Sequence, residues 1–159
     1  MIIVYTPAGA EPEHFDARSL RVSEASIVSR TIDQTWREIE ANLVQEDLDA
    51  MRGVAWVIQK RSNPTLRFGD FDPGVDEMVT RYDKTEVETY ITSAVALARQ
   101  EGADDDTVLR ALRKFPSAAL DEEHARAVIE RIVRDPKDEA DSSPLAPPDP
   151  SDQTEESAS

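Results

Sequence analysis

His14 and His124 are the only imidazoles in the chain, and there is no cysteine. Two histidines cannot supply a three-histidine zinc site, and neither sits in a histidine-acid-histidine pattern, so no zinc ligand role is expected of them. Without thiols there is no disulfide, no thiolate metal ligand and no cysteine nucleophile. The run Asp70-x-Asp72-x-Gly74-x-Asp76 begins like a calcium loop. Such a loop needs glycine at its sixth position and glutamate at its twelfth, and here those positions hold Val75 and Arg81. It reads as a set of polar turn residues. Asp104-Asp105-Asp106 reads as negative charge at a helix N-terminus. Gly9, Gly53, Gly69, Gly74 and Gly102 are too far apart to cradle a phosphate. Ser19, Ser23, Ser26 and Ser29 lack a nucleophile-elbow context. With no concentrated catalytic constellation, the chain is read as a non-enzyme, with no cofactor expected.

Charge narrows the partners. The chain has 159 residues and a formal net charge of −15, of which −7 falls on residues 135–159 and −8 on residues 1–134. Such a balance argues against a sequence-independent nucleic-acid binder or a membrane-surface anchor, both of which need a basic face. The longest apolar runs, Met1–Tyr5, Val54–Ile58 and Ala94–Ala98, hold five residues each. A membrane span needs about 18 or more, so none is expected, and no signal peptide is read either. Acidity alone also fits an acidic mimic of DNA that would occupy a nucleic-acid-binding partner. Against that alternative, the excess is partly confined to the end of the chain.

Those last 25 residues contain five prolines, and Leu145 is their only large apolar side chain. They are expected to form a disordered, acidic, proline-rich tail, because they cannot bury enough surface to offset the entropy of ordering. Residues 1–134 are expected to form one folded, mainly helical domain with a short N-terminal β element.

Met1-Ile2-Ile3-Val4-Tyr5, broken by Thr6-Pro7-Ala8-Gly9, predicts a strand and a turn, with a partner strand between His14 and Val22. Ser23 is expected to cap a helix over Glu24 to Arg30. Thr35 and Glu38 form a capping-box pair, ahead of a face of Trp36, Ile39, Leu43 and Val44. Asp47 is expected to cap a third helix with Leu48, Met51, Ala55 and Ile58 on one stripe and Val54 and Val57 beside it. That helix must stop before Asn63-Pro64. A short helix is expected over Val75 to Tyr82. The strongest helix is predicted over Thr85 to Gln100, with Val87, Tyr90, Ile91, Ala94, Leu97 and Ala98 inward and Gly102 past its end. Asp105 or Asp106 is expected to cap a helix carrying Val108, Leu109 and Leu112. The last helix, Asp121 to Arg134, carries Ala125, Val128, Ile129 and Ile132.

The stretch from Trp56 to Phe71 stands out. An apolar helix end runs into Lys60-Arg61, then an Asn63-Pro64 stop, then Leu66, Phe68 and Phe71 in a loop. Cations at a helix C-terminus complement its dipole. Trp56, among apolar helical neighbours, is expected in the core, as is Trp36. Phe68 and Phe71 either fold back onto the core or anchor a partner.

These residues carry a resemblance. The chain is similar to the tail assembly chaperones of long-tailed bacteriophages, most closely those of phages infecting actinobacteria. The matching pieces are Phe15, Leu20, Glu24-Ala25, Thr35-Trp36, Trp56-Val57-Ile58, Lys60-Arg61 and Pro64-Thr65-Leu66-Arg67-Phe68-Gly69-Asp70. They cover about Phe15 to Ile91. The sequence departs from the pattern at Gly69, where an acidic residue is commoner, and at Ala55, where leucine is expected.

The resemblance implies an assembly factor that binds the tape-measure protein, keeps it soluble and promotes tail-tube assembly around it. It implies the host cell cytoplasm as location, and absence from the mature virion. It further implies self-association along the tape measure. A ribosomal frameshift in that family appends an extension thought to bind the tail-tube protein, and this chain looks like the short form. Within the family-like stretch, Arg61, Arg67, Phe68 and Phe71 are the expected partner-binding residues, being types enriched at interface hot spots. The competing reading pairs Arg67 with Asp70 or Asp72 and lets Phe68 plug the base of the preceding helix.

Overall fold

The computed structural model describes residues 1–134. The tail expected over 135–159, and its disorder, lie outside the described residues. The described chain is mainly helical with a small three-stranded sheet at its N-terminal end.

Strand β1 (Ile2–Tyr5) lies in the centre of the sheet, antiparallel to β2 (Glu13–Asp16) on one side and β3 (Met78–Arg81) on the other. Ile3 is opposite both Phe15 and Thr80, and all three side chains are buried. Residues directly opposite share a face, so the sheet turns this row toward the helices. β3 replaces the short helix expected over Val75 to Tyr82. Its side chains alternate, with Met78 and Thr80 buried and Val79 and Arg81 less so, which is a strand period. Glu77 fixes the approach: its backbone N–H donates to the carbonyl of Gly74 (3.0 Å), and its carbonyl accepts from Thr6 N–H (2.8 Å). The free edge of β1 then recruits a segment that local pattern alone left ambiguous.

Three helices cover the sheet. α1 (Val22–Ile32) starts two residues earlier than expected; Ser23 lies inside it, and the Glu24 carboxylate accepts the Arg21 N–H (2.7 Å). α2 (Trp36–Val44) opens with the expected Thr35–Glu38 capping box, in which Glu38 accepts the Thr35 N–H (2.7 Å) and Thr35 Oγ1 accepts the Glu38 N–H (3.3 Å). α3 (Leu48–Gln59) is capped by Asp47 as expected and carries seven buried residues. α1 crosses α3 closely at Gly53, where an added Cβ would meet Val28 Cγ1 at 2.8 Å. Only glycine permits that approach without displacement.

The second half is α4 (Lys84–Gln100), α5 (Asp105–Leu112) and α6 (Glu122–Arg134). Asp83 and Glu86 cap α4 reciprocally. Its buried stripe is Val87, Ile91 and Val95; Tyr90 and Leu97, expected inward, are 46% and 58% exposed. The stripe follows a 4-4 spacing, which turns the Leu97 position away from α6. Asp104 caps α5, in place of Asp105 or Asp106. Gly102 has φ +80°, the left-handed conformation expected just past a helix end.

The span read as one domain holds two hydrophobic clusters. One joins the sheet to α1, α2 and α3 around Ile3, Val28, Ile39, Met51 and Val54. The other joins α4, α5 and α6 around Val87, Ile91, Val108, Val128 and Val133. Tyr82 stitches them: its N–H donates to Ala118 O (2.9 Å) and its carbonyl accepts from Leu120 (3.0 Å). Two ion pairs also cross the seam, Met1 ammonium to Glu86 and Arg18 to Asp83 (2.9 Å). No helix of the described residues is long and apolar enough to cross a membrane.

Candidate functional site

The loop after α3 has few ladder partners, so its carbonyls need other donors. Cations and an indole of α3 supply them. Arg52 Nε and Nη2 donate to the carbonyls of Phe71 (2.7 Å) and Phe68 (3.0 Å). Lys60 Nζ reaches the carbonyls of Pro64 (3.0 Å) and Leu66 (3.1 Å), and Trp56 Nε1 donates to Leu66 O (3.2 Å). The loop is therefore pinned along its own helix.

The four residues expected to bind a partner take different places around this loop. Phe71 is buried, edge-on to Tyr5 with ring centroids 5.5 Å apart. Phe68 is half-buried, packed edge-on against Trp56 (5.3 Å) beneath the Arg52 guanidinium (4.2 Å). Arg61 forks onto Glu24, 2.7 Å at both nitrogens, and donates to Ser19 O (2.9 Å). Arg67 is exposed. The pairing expected between Arg67 and Asp70 or Asp72 is not what forms; Asp72 lies 3.8 Å from Arg52 instead. Sequence reasoning missed Arg52, whose signal was the one cation of α3, a helical turn before Trp56 among mostly apolar residues.

The histidines stand on other elements. His14 is exposed on β2, opposite Val4. His124, on α6, has Nε2 3.9 Å from Glu88 Oε1 on α4, a carboxylate also held by Arg131 (2.7 Å).

A large open groove of about 970 Å³ lies elsewhere, between α1, α2 and the start of α4. Its α1 wall presents Val22, Ala25 and Ser29, and its α2 wall presents Trp36, Glu40 and Val44. Met1, Leu20 and Leu43 line it further, and Tyr82 and Glu86 stand on the α4 side. Trp36, expected in the core, is a half-buried residue of this groove. Val22 is 86% exposed and Val44 50% exposed. Unlike scattered surface apolar residues, these share one concavity.

The charges along the groove are Arg18, Arg21, Arg30 and the Met1 ammonium, against Glu40 and Glu86. Glu86 is occupied by the Met1 ammonium and by the Asp83 N–H (2.9 Å). Asp83 accepts Arg18 and the Glu86 N–H (2.8 Å). Burial acts to raise the Asp83 pKa, but these donors and the nearby ammonium hold it below the ordinary carboxylate value. The groove is thus an apolar trough with a guanidinium rim, suited to binding. No motif spacing could have revealed it, since its walls come from four separate segments.

No family model, curated protein or solved structure matches the chain.

Proposed function

We propose that the chain is a tail assembly chaperone of a long-tailed bacteriophage, in its short form. In this reading it is an assembly factor and not an enzyme. It binds the tape-measure protein, keeps that protein soluble and promotes growth of the tail tube around it. It acts in the host cytoplasm, associates with further copies along the tape measure, and leaves before the virion is complete. The tail-tube protein is reached mainly through a frameshifted longer form.

One observation supports the reading above others. The family-like pieces are dispersed in sequence but meet in space: Glu24 takes the fork of Arg61, and Trp56 carries the loop through Leu66 and Phe68. A pattern whose parts hold one another is a coherent architectural signature rather than a chance run of residues. Strong net negative charge also suits a factor that keeps an aggregation-prone client in solution.

The test is co-expression with a long helical tape-measure protein, the client this reading requires. The expected result is a soluble complex that co-purifies, where the client alone is insoluble. A client equally insoluble with and without the chain, or soluble without it, overturns the reading.

A further inference from the structure

We propose that the groove between α1 and α2 docks an amphipathic α-helix of a protein partner, with its apolar stripe on the trough and acidic residues along its flanks. The inference stands on the groove alone and does not require the phage-tail reading.

Three observations carry it. The trough exposes Val22 and Val44 on opposite walls, with Trp36, Leu20 and Leu43 between them. An apolar helix stripe placed there removes Val22, Val44, Trp36 and Leu20 from water over the buried Leu43, the mode by which grooves recognise helices. The size also fits. A helix about 10 Å across and two turns long fills about 850 Å³, against the groove's about 970 Å³. Two walls are themselves helices, and helices pack at about 8–10 Å, ridge into groove.

Charge selects the flanks. Arg21 and Arg30 line this one recess in a chain whose net charge is −15, beside Arg18, which is already paired with Asp83. Of the two acids in the lining, Glu86 is already paired with the Met1 ammonium. Glutamates flanking an apolar stripe would meet guanidinium groups, which hold carboxylates with two-point geometry. The overall charge pulls the other way and attracts basic peptides. A preference for the acidic peptide therefore reports the local rim and not the bulk field.

The test uses the full chain and two synthetic helical peptides of about 14 residues, long enough to form on a surface. Both carry leucines at three- and four-residue spacing; one has glutamate flanks, the other lysine flanks. Binding is read by titration calorimetry and by the emission of Trp36, with Trp36→Phe as the control for location. The expected result is at least about tenfold tighter binding of the glutamate peptide, a blue shift lost in Trp36→Phe, and weakening with added salt. Val22→Asp and Val44→Asp, both at exposed positions, are expected to fold by circular dichroism and to lose at least about tenfold in affinity. Equal binding of the two peptides, tighter binding of the lysine peptide, or undiminished binding by both variants overturns the proposal. So does dimerisation of the full chain that Val22→Asp abolishes, which would give the groove to a second copy. Tighter peptide binding by Leu145→Ser would give it to the chain's own C-terminal segment and overturn the proposal as well.

Discussion

Arg61, just past the end of α3, closes a two-point fork on Glu24 in the first turn of α1, 37 residues earlier, at 2.7 Å on each side. The same carboxylate accepts the Arg21 N–H, so one side chain both caps α1 and ties it to α3. The fork holds the Glu24 carboxyl down at about 2, from an ordinary value of 4.5, with the Arg21 N–H assisting against the opposing effect of burial. Arg61→Ala should cost about 1 kcal/mol, because Arg61 remains partly exposed to water. A double-mutant cycle with Glu24→Gln checks it; additive losses would mean the fork contributes nothing.

The same pair sets an acid dependence. The folded pKa lies below the ordinary one, so this stabilisation is present in full above about pH 4.5 and drains away as pH falls toward about 2. Thermal melts over that window should fall more steeply for the parent than for Glu24→Gln. Parallel curves would show that Glu24 titrates normally.

The two tryptophans should part company. Trp56 is 7% exposed, hydrogen-bonded to Leu66 O and packed on Phe68. Trp56→Ala should cost about 3–5 kcal/mol. Trp36 is only half-buried on the groove wall, so Trp36→Ala should cost about 1 kcal/mol. Chemical denaturation measures both; equal losses would place Trp36 in the core after all.

Gly53 offers a test of packing against propensity. Alanine is favoured over glycine in a helix by up to about 1 kcal/mol. Its Cβ, however, would press on Val28, which is fully buried, and overpacking costs about 1–3 kcal/mol. Gly53→Ala should therefore lower stability by about 1 kcal/mol. A higher melting temperature would show that Val28 yields without cost.

The seam between the two clusters rests in part on Asp83, which caps α4 and receives Arg18. Asp83→Asn keeps a capping oxygen and loses the ion pair; Asp83→Ala loses both. The alanine variant should be less stable than the asparagine variant by about 1 kcal/mol. Equal stabilities would mean the cap carries none of the effect.

Much of the architecture is local and was legible. Thr35 with Glu38, Asp47, and Gly102 mark helix ends because a capping hydrogen bond or a left-handed backbone involves only neighbouring residues. The inward stripes of α3 and α6 were legible in part for the same reason, since a 3.6-residue period is written along one segment; Leu48, expected on the α3 stripe, is 45% exposed, and Val133 is buried where Ile132 is half-buried. β3 was not, because a strand forms only where another strand offers an edge, and β1 lies more than 70 residues away. Nor was the inward face of α4, where Val95 and not Leu97 met the core once α6 had docked. In the loop after α3, residue type left two fates open for the aromatics, and only tertiary contact set Phe68 against Trp56, Phe71 against Tyr5 and Arg61 on Glu24. The groove depends on that same level. Val22, Trp36, Val44 and Tyr82 share no spacing, and only the packing of α1, α2 and α4 around Met1 brings them to one trough.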